Sequence, residues 1–526
     1  MDKFVKYEDF GAVGDGIKDD FFAIKAAHDY ANEHGVSVKG TPGKNYLIHD
    51  IVGEGDAASC ISIQTDVDWT DVKFTVDDRG YYYKDKNNSG IFAVNSEYPR
   101  LVITDKDEIS KIFPNLKIEQ GFTGKINWSD YGYGALLVVK NADHKNYVRF
   151  GGNADSGQRQ SELIVVDKDG KIREETPFMF AYDNITELWI CRIDENPITI
   201  KGGEFHHIAN DTPMVKEDWG YFSRSLSVKR SGTVIDGLKH LIFGELPGIN
   251  VQGNTDPKGP PYAAFLSATC CTDVKFINCT LTARRVSGIA GTYDFGAGTA
   301  NNLYLYNVNQ SNYYEEDGKT PTMDYKHYWG IGGTNYCKNL TYDTCIMSRY
   351  DAHCGLYNGK IINSTVCNVE LIGAGDMLIE NTTFTPISFT PIMIRGDYGC
   401  TWRGTITVKD CTVKTPKGPI TTFLNQGWSN HNFGYTCTAP DLLIDNLKWD
   451  TEGNKEIYLS SYSNAETVTE DTLLDGTKNE NKITPPKFIR IINNNDGTTY
   501  KLRSMPLFKN TLIEGVSLEE PESASL

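Results

Sequence analysis

Short runs of one form recur through the middle of the chain: apolar residues at alternate positions, an Asn or Asp, then a small residue or Thr. They read VKFINCTLTA, LYLYNVNQ, NLTYDTCIMS, KIINSTVCNV, MLIENTTFTP, ITVKDCTVKT and LLIDNLKWD. Alternation places every second side chain on one face of a strand. The polar anchors are Asn278, Asn307, Asp343, Asn363, Asn381, Asp410 and Asp445, spaced by 29, 36, 20, 18, 29 and 35 residues. Spacings of 18 and 20 suit one bare turn of a coil made of three short strands. The longer ones suit turns that carry an inserted loop. Such a coil must bend between strands, and stacked Asn or Asp side chains bond the backbone at the bend. Cys279, Cys345 and Cys411 sit at comparable places near their anchors, as an inward ladder of small residues would. Asn363 and Asn381 begin glycosylation sequons, which this pattern reads as packed turns.

The pattern changes at both ends and once between. Gly11, Gly14 and Gly16 allow a tight irregular turn. Asp19 or Asp20 then caps a helix whose apolar positions are Phe22, Ile24, Ala27, Tyr30 and Ala31, and Gly35 stops it. VSVKGTPGKNYLIHD follows as two short strands around a Pro-Gly turn. From about 100 to 185, GALLVVKNADHKNYVRFGG and SELIVVDKDGKIREETPF read as hairpins, with a turn at Lys168-Asp169-Gly170. Beyond Asp450 the chain turns polar, with NNNDGTT and an acidic end LEEPESASL, and is expected to cover the end of the coil and fray.

The opening resembles that of the pectate-lyase-like superfamily, where FGAxGDGxxDDxxAI precedes a helix that plugs a right-handed parallel β-helix and PxGxY begins the coil. The matching residues are Phe10, Gly11, Ala12, Gly14, Asp15, Gly16, Asp19, Asp20, Ala23 and Ile24, then Pro42, Gly43 and Tyr46. The likeness spans about the first tenth of the chain and speaks to fold, since polygalacturonases, glucanases and phage tailspikes share it. Repeat and resemblance together predict an all-β chain: a single-stranded right-handed parallel β-helix with an N-terminal capping α-helix and a small β insertion. Its parts are the cap and first strands (1–50), first coils (51–99), insertion (100–185), main coil with a lateral groove (186–450) and C-terminal cap and tail (451–526).

Composition narrows the function. Of 526 residues, 39% are hydrophobic and 23% charged, enough for a large core. A net charge of −17 leaves no basic field to collect phosphates, which excludes nucleic acid and anionic membranes as partners. No run of 18 apolar residues spans a bilayer. The N-terminus lacks an apolar signal core, so the chain is expected to be cytoplasmic as it stands, or exported with its signal removed. Twelve scattered cysteines without a CxxC pair read as buried thiols, with no metal and no cofactor expected. A dimer or trimer of the chain stays open.

Chemistry gathers in IMSRYDAHCGLYN. In a strand, Arg349, Asp351 and His353 share one face, while Tyr350, Ala352 and Cys354 point inward. Neighbouring coils stack about 4.8 Å apart, which brings in Glu370, then Arg395 and Asp397 with Ile392 and Ile394 inward. Preceding turns offer Arg284, Arg285 and Asp294, and the loop YYEEDGKTPTMDYKHYWG offers Asp324, His327 and Trp329. Trp329, Trp402 and Trp428 supply flat surfaces for sugar rings. His144 and His206-His207 lack such company and are read as core or surface residues; His28 and His34 belong to the cap helix.

The leading reading is a carbohydrate-active enzyme, a glycoside hydrolase or transferring relative. Glycoside cleavage needs two carboxyls, one protonated and one ionised. Asp351 and Asp397 are the expected pair, with Asp324 and Asp294 as alternates. Arg349 or Arg395 would keep one ionised, and His353, Glu370, His327, Trp329, Arg284 and Trp402 would bind substrate. A uronate lyase ranks second, for want of a tight acidic triad. A non-catalytic glycan-binding adhesin or tailspike-like protein is the third reading. Polygalacturonases carry NTD, DD, GHG and RIK on successive coils. This chain has NTD at Asn254 to Asp256 but lacks the later motifs, so the resemblance does not extend to that activity.

Overall fold

The computed structural model describes residues 4–49, 60–79, 90–147, 149, 158–209, 224–244, 264–283, 293–310, 313–314, 321–322, 331–386, 390–415, 420–427, 433–450, 455–460 and 483–519. The chain is an all-β right-handed parallel β-helix, the fold that the N-terminal resemblance implied. It divides into two compact units. One holds Met1–Pro99, Arg192–Gly333 and Cys345–Ser348; the other holds Arg100–Cys191, Thr334–Thr344 and Arg349–Leu526.

In the first unit, the helix Phe21–His34 buries Phe21, Ile24, Ala27, His28 and Ala31. Its phase differs from the expected one: Phe22 and Tyr30 are 58% and 41% exposed. The face starting at Phe21 wins because it also buries His28, whose ring meets the Tyr7 hydroxyl at 3.0 Å. Asp20 carboxylate oxygens accept from Val13 and Gly14 N–H at 2.7 and 3.0 Å, so that acid shapes the glycine turn. Asp19 accepts from Phe21 N–H at 3.0 Å. Val67–Asp77 pairs in parallel with Ile198–Ile208, which pairs with Thr233–Asp236 and Lys239–Phe243. Thr272–Ile277 and Asn301–Tyr306 extend the stack. Phe74 and Phe205 stack in register at 4.7 Å, as identical positions of successive turns should.

The second unit repeats the plan. Cys337–Asp343, Leu356–Ile362, Gly373–Glu380, Thr405–Lys409, Asp441–Asp445, Phe488–Ile492 and Leu512–Glu514 form one parallel ladder. The described residues beyond 451, namely 455–460 and 483–519, therefore continue the winding, while most of the acidic end expected to fray lies outside the described residues. NNND is a turn of the ladder: Asn493 has φ 53° and donates to Asp445 at 2.6 Å. The same bond joins Asn363 to Asp343 at 3.1 Å, Asn381 to Asn363 at 2.8 Å and Asn446 to Asp410 at 2.6 Å. In the first unit it joins Asn278 to Asp236 and Asn307 to Asn278. Asn is the residue for this place because it tolerates a left-handed backbone and offers both a donor and an acceptor.

The insertion is an antiparallel sheet of Leu101–Ile103, Ala135–Tyr147, Gln158–Val166 and Glu187–Arg192, so it reaches a few residues past 185. The two apolar runs pair with each other in antiparallel, and the second also turns back on itself at the expected Lys168-Asp169-Gly170, where Val166 bridges Ile172. The sheet packs with the short helix Lys106–Ile112, absent from the sequence reading, around Trp128, Leu137, Ile164 and Tyr182.

Candidate active site

Four segments of the second unit bring charged side chains together. The strand ending at Ala352 turns Tyr350 inward, where its hydroxyl donates to Leu340 C=O at 3.0 Å. Alternation then puts Arg349 and Asp351 on the other face. The strand Thr365–Leu371 contributes Asn368 and Glu370, again two apart. Val369 and Leu371 pair with Ile392 and Ile394 of the next coil, and Arg395 follows directly. Asp397 is not on that strand: it lies in the 3-10 turn Gly396–Tyr398, which lets it fold back on Arg395. Arg149, from the insertion, completes the set.

Arg395 is the hub. Its Nε and Nη2 donate to the two oxygens of Asp397 at 3.1 and 2.8 Å. Its Nη1 lies 3.5 Å from Asp351 Oδ1, 3.7 Å from Glu370 Oε2 and 2.9 Å from His353 Nδ1. Arg349 ion-pairs with Glu370 and donates to Asn368 at 3.2 Å. Arg149 Nε lies 2.9 Å from Asp397 Oδ2. The Tyr398 ring lies 5.4 Å from the Arg395 guanidinium and 6.0 Å from that of Arg149. Because a guanidinium only donates, His353 Nδ1 accepts in the neutral ring. The same Nδ1 lies 3.6 Å from Asp351 Oδ2.

Burial differs sharply across the cluster. Asp351 and Glu370 are 2% and 4% exposed, whereas the Asp397 side chain is 27% exposed. Burial alone raises the Asp351 carboxyl, but contact with His353 and the charges of Arg395 and Arg349 outweigh it and hold the group below its ordinary value. Burial and then the charge of Asp351 push Glu370 up, and Arg349 and Arg395 do not reverse this. Asp397 is held low against its burial by Arg395 and Arg149. The Arg395 cation, disfavoured by burial, is secured by the carboxylates around it, Asp397 first. Two carboxyls on one guanidinium nitrogen thus differ in proton affinity, the arrangement that separates an acid from a base.

The structure brings together Arg349, Asp351, His353, Glu370, Arg395 and Asp397. Cys354 departs from the inward expectation. The strand ends at Ala352, alternation lapses, and the Cys354 thiol meets the Tyr398 hydroxyl at 3.3 Å. Trp402 is no sugar platform: it is fully buried and its indole N–H donates to Gly375 C=O at 3.1 Å. Asp294 is buried in the first unit's strand Tyr293–Gly298 and accepts from Phe295 N–H at 2.9 Å. Asp324, His327, Trp329 and Arg284, with Arg285 and Trp428, lie outside the described residues.

Sequence reasoning missed three members. Asn368 carried a usable signal, two residues before Glu370 and therefore on its face. Arg149 and Tyr398 carried none, since one comes from the distant insertion and the other from a 3-10 turn. His207, in the first unit, has more company than its sequence suggests: Asp78 at 2.6 Å and His240 at 3.1 Å, with Arg224 on Asp78 at 2.8 Å. Among the described residues, no group of three or more His, Cys, Asp or Glu side chains is placed to hold a metal ion.

No protein-family model matches the chain, and no curated protein matches it. Among solved structures it is similar to the Gp54 tailspike of Acinetobacter baumannii bacteriophage AP22, solved with A. baumannii capsular saccharide. The identity is 12%, coverage is 97% of this chain and 79% of that one, and the TM-score is 0.49. It is similar to PfbA, a surface adhesin of Streptococcus pneumoniae, at 10% identity, 98% and 93% coverage and a TM-score of 0.37. The exopolygalacturonase of Thermotoga maritima gives 10% identity, 99% and 91% coverage and a TM-score of 0.25. The fold stated above rests on this chain's own strand pairing.

Proposed function

We propose that the Arg395 cluster is the active site of an enzyme that cleaves or transfers glycosidic bonds, with Glu370 as proton donor and Asp351 as the ionised partner. The observation that carries this reading is geometric: both buried carboxyls approach one nitrogen of Arg395, from different strands. Asp397 takes a different role from the one its sequence suggested. Bound by two arginines, it positions Arg395 and leaves Nη1 to the other acids. In the reaction, Glu370 gives its proton to the leaving oxygen as the C–O bond breaks. Asp351 takes a proton from the incoming water or sugar hydroxyl, whose oxygen joins the anomeric carbon.

The test is product analysis on a panel of oligosaccharides. Glu370→Gln should lower turnover by about 10²- to 10⁴-fold with the fold intact. Turnover should fall at low pH as Asp351 protonates and at high pH as Glu370 ionises. Full turnover in Glu370→Gln would refute the assignment, and ultraviolet-absorbing unsaturated ends would mark elimination in place of hydrolysis.

One observation favours a second reading, a glycan-binding protein without turnover. The two carboxyls are almost sealed from solvent, as in an ion network that only shapes a binding face. Saturable binding with no product after long incubation would select it.

A further inference from the structure

The insertion of the second unit carries a groove of about 740 Å³ that the cluster above does not use, within the roughly 300–1,000 Å³ typical of small-ligand sites. The segment from Pro114 to Phe122 and the segment Ala181 to Asp183 line it, with His144 and Gln160 from the paired strands Ala135–Tyr147 and Gln158–Val166. The two segments are joined by an antiparallel bridge, Ile118 to Tyr182, with N–H to O=C distances of 3.0 and 2.9 Å.

Backbone strain marks this groove. Asn115 and Leu116 hold φ values of 61° and 56° in succession. Asparagine tolerates that region; a leucine rarely enters it. Leu116 is kept there by its neighbours: its N–H donates to Phe113 C=O at 3.0 Å, its C=O accepts from Ile185 N–H at 2.9 Å, and its side chain packs on the insertion core. Such conformations persist where the surroundings over-determine them, and they gather at ligand sites.

The lining has the chemistry of a sugar site. The Phe122 ring offers a flat apolar surface, and Asn115, Gln160 and Asp183 offer planar hydrogen-bonding groups for hydroxyls. Two of these are already oriented. Gln160, 5% exposed, donates through Nε2 to Ala181 C=O at 2.9 Å, and Asp183 accepts from Asn141 at 2.9 Å. Preorganised groups lose less entropy on binding. Lys117 is offset by Glu119 and Asp183, so the groove has no positive excess to draw an anionic chain.

We propose that this groove is a second, non-catalytic carbohydrate site that takes a neutral oligosaccharide segment. It shares a ligand class with the proposed reaction but none of its residues, so either can fail alone. The test titrates the full chain with cellohexaose, maltohexaose, xylohexaose and hexagalacturonate by calorimetry. At least one neutral hexasaccharide should bind and hexagalacturonate should not compete. Binding should weaken about ten-fold in Asn115→Gly, which keeps the backbone conformation and deletes the amide, and in Phe122→Leu, which keeps an apolar side chain against the core. Glu370→Gln should leave it unchanged. Binding indifferent to both groove variants, binding lost in Glu370→Gln, or no binding of any neutral probe would overturn the proposal. Groove binding that survives in a chain with no turnover on any glycan would leave it standing while the reading above falls.

Discussion

Asp351 and Glu370 are the same functional group in nearly the same place, and their neighbours make them different. Asp351 draws on Arg395, Arg349 and His353, while Glu370 must ionise beside a charge already present. The shifts have opposite consequences for stability. A depressed carboxyl contributes stability that is present above its ordinary 3.8 and is lost as pH falls through the lower folded value. A raised one contributes stability below its ordinary 4.5 that is lost as pH rises through the higher folded value. The urea midpoint should therefore decline as pH climbs from 4.5 through that higher value, and Glu370→Gln should flatten that decline while the acid-side fall set by Asp351 remains. An unchanged alkaline slope in the variant would show that Glu370 holds no extra affinity for its proton.

At the level of elements, the insertion is fastened within its unit by a buried ion pair. Glu162 and Lys338 are both sealed from solvent; Lys338 Nζ lies 3.1 Å from Glu162 Oε2 and donates to Pro177 C=O at 2.7 Å. Met179 and Phe180 N–H groups complete the carboxylate's shell at 2.7 and 3.2 Å. Burial drives both members toward neutrality, Glu162 upward and Lys338 downward. Removing one partner strands the other, so Lys338→Met should cost about 3–5 kcal/mol, and adding Glu162→Gln should recover much of it. Urea unfolding of the single and double variants checks this; a double variant no better than the single would place the loss in packing instead. This element also shows where sequence reading stops. The turn ladder was legible because Asn363 and Asn381 recur at coil spacing and each answers to the turn before it. The tie from Lys338 to Glu162 crosses 176 residues without any shared period, and the arrival of Arg149 at Asp397 likewise follows no period. Trp402 misled for a related reason: an aromatic near a charged face has no local sign of which side of the strand it takes.

Over the whole molecule, each turn bonds mainly to the turns before and after it, so stability accumulates as a sum of neighbouring interfaces. That makes the last turns matter more than their polar composition suggests. Phe488–Ile492 reads as irregular because Arg490 and flanking asparagines dilute it, yet Ile489 and Ile491 are buried at alternate positions. It covers Asp441–Asp445, while Glu456–Ser460 covers Thr422–Gln426. A chain ended at Asp450 would leave both strands with unpaired N–H and C=O groups, and such edges template association with other copies. The shortened protein should unfold at lower urea and scatter light at concentrations where the full chain stays clear. Lys or Glu placed at Leu443, whose side chain is only partly buried, should reduce the scattering without restoring the midpoint. A shortened chain with the full urea midpoint and no scattering would mean that the windings beyond 451 add nothing to the coil they cover.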